Sequence, residues 1–244
     1  MIEVKALHKS FGKVDAVNGV SFCARDGEIT GLLGPNGAGK TTTLRMLYTL
    51  LQPDSGAIEV DGINPQQQAQ VVRASMGVVP DAKGLYQRLT ARENIRYFAQ
   101  LQGVAEPEIS DNIEQLSHAL DMESFIDRRT DGFSQGQRVK VAIARALVHQ
   151  PQNLLLDEPG NGLDVMSTRA LRTFIREQRD NGRCVLFSSH ILQEVAELCD
   201  RVIIIATGKV IAEGSPTELI EQAGKTTLED AFVTLVGSGE GIAL

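Results

Sequence analysis

The octet Gly34-Pro35-Asn36-Gly37-Ala38-Gly39-Lys40-Thr41 constrains this 244-residue chain more than any other feature in it. It has the form G-x-x-x-x-G-K-[ST], in which glycines let backbone N–H groups come close to phosphate oxygens. A helix starting there adds the positive end of its dipole. Lys40 can reach the β- and γ-phosphates, and the Thr41 hydroxyl can ligate Mg²⁺. A glycine-rich turn can match such a spacing by accident. Here the apolar run Ile29–Leu33 enters the octet as a strand, and a leucine-spaced helix leaves it. That is the context a phosphate-binding loop needs.

The flanking patterns alternate between strand and helix. Ile2, Val4 and Ala6 alternate with polar residues, and Val14–Phe22 is rich in β-formers. Leu44, Leu47, Leu50 and Leu51 mark one helical face from near Gly39, broken at Pro53-Asp54-Ser55-Gly56. Ala57–Val60 reads as a strand closed by Asp61-Gly62. Between about 85 and 149 the chain turns helical. Thr90 and Glu93 form a capping box, and stripes follow at Ile95/Phe98/Ala99, Ile109/Ile113/Leu116/Leu120 and Val139/Ala142/Ile143/Ala146. From residue 153 onward, strands at Leu154–Leu156, Cys184–Phe187 and Val202–Ala206 are separated by helical stretches. That spacing argues for βαβ units and a parallel sheet. Thr207-Gly208-Lys209 reads as a hairpin turn, and Gln66-Gln67-Gln68 as a solvated face.

Composition removes several classes of function. With 24 Lys+Arg against 31 Asp+Glu the net charge is −7, which leaves no electrostatic footprint for nucleic acid. A hydrophobic content of 42% excludes wholesale disorder. Cys23, Cys184 and Cys199 are scattered and odd in number, as expected of a reducing cytosol rather than a disulfide scaffold. The apolar runs fall far short of the about 20 residues a spanning helix needs. The N-terminus reads as a strand rather than a signal peptide.

Leu154-Leu155-Leu156-Asp157-Glu158 is an apolar strand ending in two carboxylates, where ligands bind in open α/β sheets. Asp157 can hold Mg²⁺ directly or through water, and Glu158 can orient or deprotonate an attacking water. Upstream, Phe133-Ser134-Gln135-Gly136-Gln137 precedes a helix over Arg138–Val148. That pentad resembles the Leu-Ser-Gly-Gly-Gln signature of ATP-binding cassette (ABC) ATPases. The order of phosphate loop, signature, Asp157-Glu158, Leu163-Asp164 and Ser189-His190 is similar to that family along the whole chain.

The resemblance implies an α/β fold: a P-loop NTPase core with a mainly parallel sheet, an N-terminal antiparallel β-subdomain and an inserted α-helical subdomain. It divides a single domain of 244 residues into core (about 1–84 and 150–220), helical subdomain (about 85–149) and tail (221–244). It also assigns roles. Phe11 stacks on adenine, while Gly34, Pro35, Asn36, Gly37, Ala38, Gly39, Lys40, Thr41 and Thr42 cradle the phosphates. Ser134, Gly136 and Gln137 grip the γ-phosphate held by a second subunit, and Asp164 couples the two sites. Asp157 and Thr41 serve Mg²⁺, Glu158 is the general base, and His190 contacts the γ-phosphate. His8, His118 and His149 lie outside these motifs and read as structural from the residues alone.

Three positions depart from the family pattern. Asp81 stands where Gln is usual and is carried as a metal or water contact; Gln135 replaces a Gly, and Gly160 a Thr or Ser. The resemblance further implies an ATP hydrolase acting as a homodimer on the cytoplasmic face of a membrane, with ATP and Mg²⁺. A separate permease would be contacted through residues 81–95, and no nucleic acid is expected as partner. The tail resembles that of bacterial exporter subunits for drugs, lipids or ions, and the Asp81 region with Gly34–Thr43 is similar to the sodium-extruding NatA type. The alternative is a soluble ABC ATPase acting on DNA or ribosomes. It fits less well, because the chain has one cassette and no heptad insertion between Thr41 and Ser134.

Overall fold

Strands buried on both faces read as unbroken apolar runs, and strands with one wet face alternate; this chain has a sheet of each kind. The computed structural model describes residues 1–81 and 84–237. The first part runs β1 (Ile2–Phe11), β2 (Val14–Ala24), β3 (Glu28–Leu33), α1 (Lys40–Leu47), β4 (Ser55–Val60), α2 (Ala69–Ala74) and β5 (Met76–Val79). Helices α3 (Ala91–Leu101), α4 (Glu106–Ala119) and α5 (Gln135–Leu147) follow. The chain then continues through β6 (Asn153–Asp157), α6 (Val165–Asp180), β7 (Cys184–Ser189), α7 (Leu192–Leu198), β8 (Arg201–Ala206), β9 (Lys209–Gly214), α8 (Pro216–Ala223) and α9 (Leu228–Gly237).

The larger sheet has the order β5-β6-β7-β3-β8-β9, parallel except for β9, which turns back on β8. Every residue of β6 and β7 is buried. The smaller sheet, β2-β1-β4, is antiparallel. This is the α/β arrangement expected: a mainly parallel sheet, an antiparallel N-terminal sheet and a helical insertion between β5 and β6.

Several local expectations need correction. The alternation Ile2, Val4, Ala6 breaks at Ala6, which adopts φ +45° at a bulge, so Leu7 rather than Ala6 is buried. The helix expected to carry Leu50 and Leu51 ends at Leu47. Thr49 turns to φ +64°, the N–H groups of Leu50 and Leu51 both donate to the Arg45 carbonyl, and Leu50 is left exposed. The signature helix starts at Gln135 rather than Arg138, with Ser134 as its N-cap. Helices α2, α8 and α9 were not foreseen. For α8 the signal was there, since Ser215 and Glu218 form a capping box with Pro216 in the first turn. Residues 82–83 of the expected 81–95 contact segment, and 238–244 of the expected tail, lie outside the described residues.

Helices α3, α4 and α5 close a core around Ile95, Ala99, Ile109, Ile113, Ala142 and Ile143. The entry to α3 hangs on one buried side chain. Asn94 Oδ1 accepts from the Tyr86 N–H at 2.9 Å, and its Nδ2 donates to the carbonyls of Tyr86 (3.1 Å) and Thr90 (2.9 Å). Asn94→Ala would leave the Tyr86 N–H without its partner, while the Tyr86 and Thr90 carbonyls keep other donors, at a cost of about 1–3 kcal/mol for the unsatisfied N–H. We expect a lower urea midpoint with an unchanged m-value. An unaltered midpoint would show that Asn94 does not hold this segment.

Candidate functional site

The parallel register decides which residues meet. Leu33 pairs with Ser189, and Asp157 with Ser188, so β3, β6 and β7 end together. The loop 34–39, the two carboxylates and Ser189-His190 therefore leave the same edge of the sheet, the usual place for ligands. Gly39 has φ +104°, and a β-carbon on it would stand 2.4 Å from the Ala16 carbonyl oxygen, so only glycine fits. At Gly34 a β-carbon would stand 2.1 Å from the Ile205 carbonyl oxygen.

Lys40, the first residue of α1, is 6% exposed. Its Nζ donates to the carbonyls of Gly34 (2.7 Å) and Pro35 (3.2 Å) and lies 3.5 Å from Glu158 Oε1. The Thr41 hydroxyl donates to Asp157 Oδ1 at 3.2 Å. The Ser188 hydroxyl donates to the same oxygen at 2.6 Å and accepts the Glu158 N–H at 3.1 Å. Glu158 sits at φ +47°, an unfavourable conformation for a side-chain-bearing residue of the kind that clusters at functional sites. Its Oε2 is 2.8 Å from His190 Nδ1.

These groups border a cavity of about 510 Å³ lined by Phe11, Ala16, the loop and helix residues Asn36, Gly37, Ala38, Gly39, Lys40, Thr41 and Thr42, and Asp81, Glu158, Asn161 and His190. Phe11 is half exposed at its rim, with Lys9 Nζ 5.7 Å from the ring centroid. Gly34 and Pro35 contribute through their carbonyls. Asp157 is buried behind Thr41. Sequence reasoning missed Ala16 and Asn161, which carry no chemical signal of their own. It also missed Ser188, although the Ser188-Ser189-His190 run was available as a cue.

The remaining expected residues stand apart from this cavity. Ser134 and Gln137 exchange bonds in a capping box at the start of α5. Asp164 caps α6, its carboxylate accepting from both the N–H and the hydroxyl of Ser167 at 2.9 Å. Those bonds hold the Asp164 carboxyl below the usual carboxylate range. Gly136 joins the two helix starts, because a β-carbon there would stand 2.8 Å from Ser167 Oγ. Ser134, Gly136, Gln137 and Asp164 thus form a second cluster. Of the histidines expected to be structural, His149 places Nε2 3.0 Å from the Met76 carbonyl oxygen, and burial holds its ring below the ordinary histidine range.

The donor set fits a hard divalent cation held jointly with phosphate. Thr41 Oγ1 and Asp157 Oδ1 are adjacent oxygen donors, and Asp81 lines the same cavity. Among the described residues no three His, Cys, Asp or Glu side chains gather into a protein-only metal cage. Mg²⁺ ordinarily needs just one or two carboxylates when a substrate phosphate completes its shell.

A glycine-rich loop opening a helix, a buried lysine on its inner face and carboxylates at the end of the adjacent strand define a P-loop nucleotide hydrolase. The family can be named as well: a model described as ABC transporter matches residues 17–161, and the chain belongs to that family as an ATP-hydrolysing transporter subunit. It is 45% identical over 227 residues to the ABC transporter ATP-binding protein NatA of Bacillus subtilis (strain 168), covering 93% of this chain and 92% of that one. It is 38% identical to the Nod factor export ATP-binding protein I of Rhizobium sp. (strain N33), over 91% of this chain and 73% of that one. A solved ATP binding subunit of an ABC transporter superposes with a TM-score of 0.89 at 31% identity, covering 96% of this chain and 99% of that one.

Lys40→Ala removes the buried cation from the loop. Hydrogen bonds to charged groups contribute about 1.5–3 kcal/mol, so MgATP affinity should fall by at least about tenfold in titration calorimetry. Unchanged affinity would remove Lys40 from phosphate binding.

Proposed function

We propose that this subunit closes with a second copy around two ATP molecules and drives export through a separate membrane-spanning partner, with sodium as the transported ion. The observation that carries the reading is the separation of two complementary clusters in one chain. The cavity beside Lys40 and Glu158 offers one side of a triphosphate site; the start of α5 with Ser134, Gly136 and Gln137 offers another N-terminal dipole elsewhere on the surface. In a symmetric pair, each phosphate loop would face the other copy's signature helix. Val165 and Met166, beside Asp164, are the most exposed large apolar side chains among the described residues (83% and 72%), which supports a partner on that face.

In this reading Phe11 contacts the base, residues 34–42 hold the phosphates, and Mg²⁺ is held by Thr41 and Asp157 with Asp81 beside it. When bound, Mg²⁺ would neutralise charge on the β- and γ-phosphates. Lys40 would exchange its carbonyl partners for phosphate oxygens. Glu158 would take the proton of the attacking water while His190, 2.8 Å from its carboxylate, fixes its orientation. Phosphoryl transfer needs mostly positioning and charge stabilisation, so closing the second copy over the site would switch hydrolysis on.

The membrane partner would dock near residues 81–95. There exposed Tyr86 and Tyr97 meet edge to face at 5.5 Å, and a groove lined by Leu50, Val78 and Phe98 runs alongside. No helix among the described residues is long and apolar enough to cross a membrane, so transport would need that partner. The complex would sit at the cytoplasmic face. The single domain would divide into the core, the helical subdomain of about 85–149 and the tail. Export is supported by the Nod factor export relative, and sodium rests on the resemblance of the sequence to sodium-extruding subunits noted above.

Glu158→Gln keeps shape and loses the base. Hydrolysis should fall by about 10²–10⁴-fold while ATP binding persists, and light scattering should then show dimers with ATP and monomers with ADP. Adding Ser134→Arg should abolish the dimer. Tight ATP binding by a variant that stays monomeric would refute the two-copy site.

For the cargo, vesicles holding the subunit and its membrane partner should show ATP-dependent ²²Na⁺ movement toward the face opposite the subunit. The Glu158→Gln vesicles should not. ATP turnover without sodium movement would exclude sodium.

A further inference from the structure

Glu194 is a buried carboxyl that the proposed chemistry does not use. It lies in the first turn of α7, is 7% exposed, and is absent from the lining of the nucleotide cavity. Its Oε2 accepts from the Ser189 hydroxyl at 3.2 Å, and that hydroxyl in turn accepts the Ile191 N–H at 3.0 Å. On its other side the carboxyl presses on the loop that follows Glu158. A β-carbon on residue 160 would stand 2.6 Å from Glu194 Oε1 and 3.1 Å from Oε2. Glycine at 160 lets loop and carboxyl approach this closely.

We infer that Glu194 is a positioning residue for hydrolysis, fixing the Pro159–Gly160 loop against the start of α7 so that Glu158 and His190 stay in register. The inference rests on the reading of Glu158 as the base and His190 as its orienter. Both flank the Glu194 contact: Glu158 is two residues before Gly160, and His190 follows Ser189. Glu158 is held in a left-handed conformation by its N–H bonds to the carbonyl and hydroxyl of Ser188, and nothing in its own backbone preference keeps it there. Pinning the loop two residues later supplies a second anchor. Burial pushes the Glu194 carboxyl above its ordinary range, and the Glu158 charge adds to that; the Ser189 bond, Arg172 and His190 oppose it. Shape and hydrogen bonding, rather than a fixed negative charge, are what the position calls for.

The test is steady-state hydrolysis by the full chain, with MgATP affinity and Tm measured alongside. Glu194→Ala should lower kcat about tenfold, with KM and MgATP affinity within twofold of wild type, while Glu194→Gln, which keeps the Ser189 bond, restores most of the rate. Gly160→Ala should lower kcat by displacing the carboxyl, and its effect should shrink in the Glu194→Ala background, where nothing is left to clash. Wild-type kcat in Glu194→Ala would overturn the inference. So would a joint fall of kcat, affinity and Tm that Gln does not correct, or strictly multiplicative effects of the two substitutions. If Glu194→Ala does not fold, Glu194→Gln and Gly160→Ala decide alone: near-normal kcat in the first with a reduced kcat in the second supports positioning, and any other pair of results rejects it. Glu158→Gln run in parallel separates the two levels. Normal hydrolysis in that variant breaks the reading of the site. Its loss there, with Glu194→Ala unaffected, breaks only the role of Glu194.

Discussion

The pairing of β6 with β7 sets the position of both carboxylates, and the rest of the site is arranged around them. Asp157 sits opposite Ser188, and one hydroxyl, Ser188 Oγ, bonds the Asp157 carboxylate and the backbone N–H of Glu158. A slip of one residue would turn the side chains of β6 to the opposite faces of the sheet. Register in a sheet buried on both faces is tightly specified by its side-chain packing, so the hydrophobic interior of β6 and β7 is what makes the polar edge reproducible.

Lys40 shows how the fold holds a charge near its centre. A buried ammonium without partners would be strongly destabilising. Here the Gly34 and Pro35 carbonyls and the Glu158 carboxylate surround it. The loop's backbone polarity is thus arranged twice over, with N–H groups available to anions and carbonyls turned to the lysine. Phosphate oxygens can take over the lysine without exposing it to an apolar environment.

The residues most legible in the sequence were those whose chemistry needs a spacing. The octet from Gly34 to Thr41, the strand ending in Asp157-Glu158 and the capping box at Thr90 depend on contacts a few residues apart, and each was found where expected. What escaped was decided by distant partners. Ala6 leaves the alternation because β1 must follow both β2 and β4 through irregular register. Leu50 looks like a helix residue by period, yet α1 has already turned toward β4 at Thr49. Ser188, Asn161 and Glu194 gain meaning solely from what the sheet brings beside them. Gly160 departs from the family pattern where the buried Glu194 carboxyl packs against it.

The Ala16 carbonyl touches three parts of the molecule at once. It backs onto Gly39 of the phosphate loop, faces Gly208 in the β8–β9 turn, and belongs to β2, whose neighbour Asn18 donates to the Gly208 carbonyl at 2.7 Å. The small antiparallel sheet that ends in Phe11 is therefore sutured to the loop that bears Lys40. The aromatic at the rim and the lysine at the floor are thus tied together through backbone contacts. With Phe11 on the base and Lys40 on the phosphates, as proposed, such a frame would work as a gauge: it would measure the span of a ligand against two marks already in place, and little conformational entropy would be spent in the measurement. Molecules of similar charge but different length would be sorted by reach before any chemistry begins.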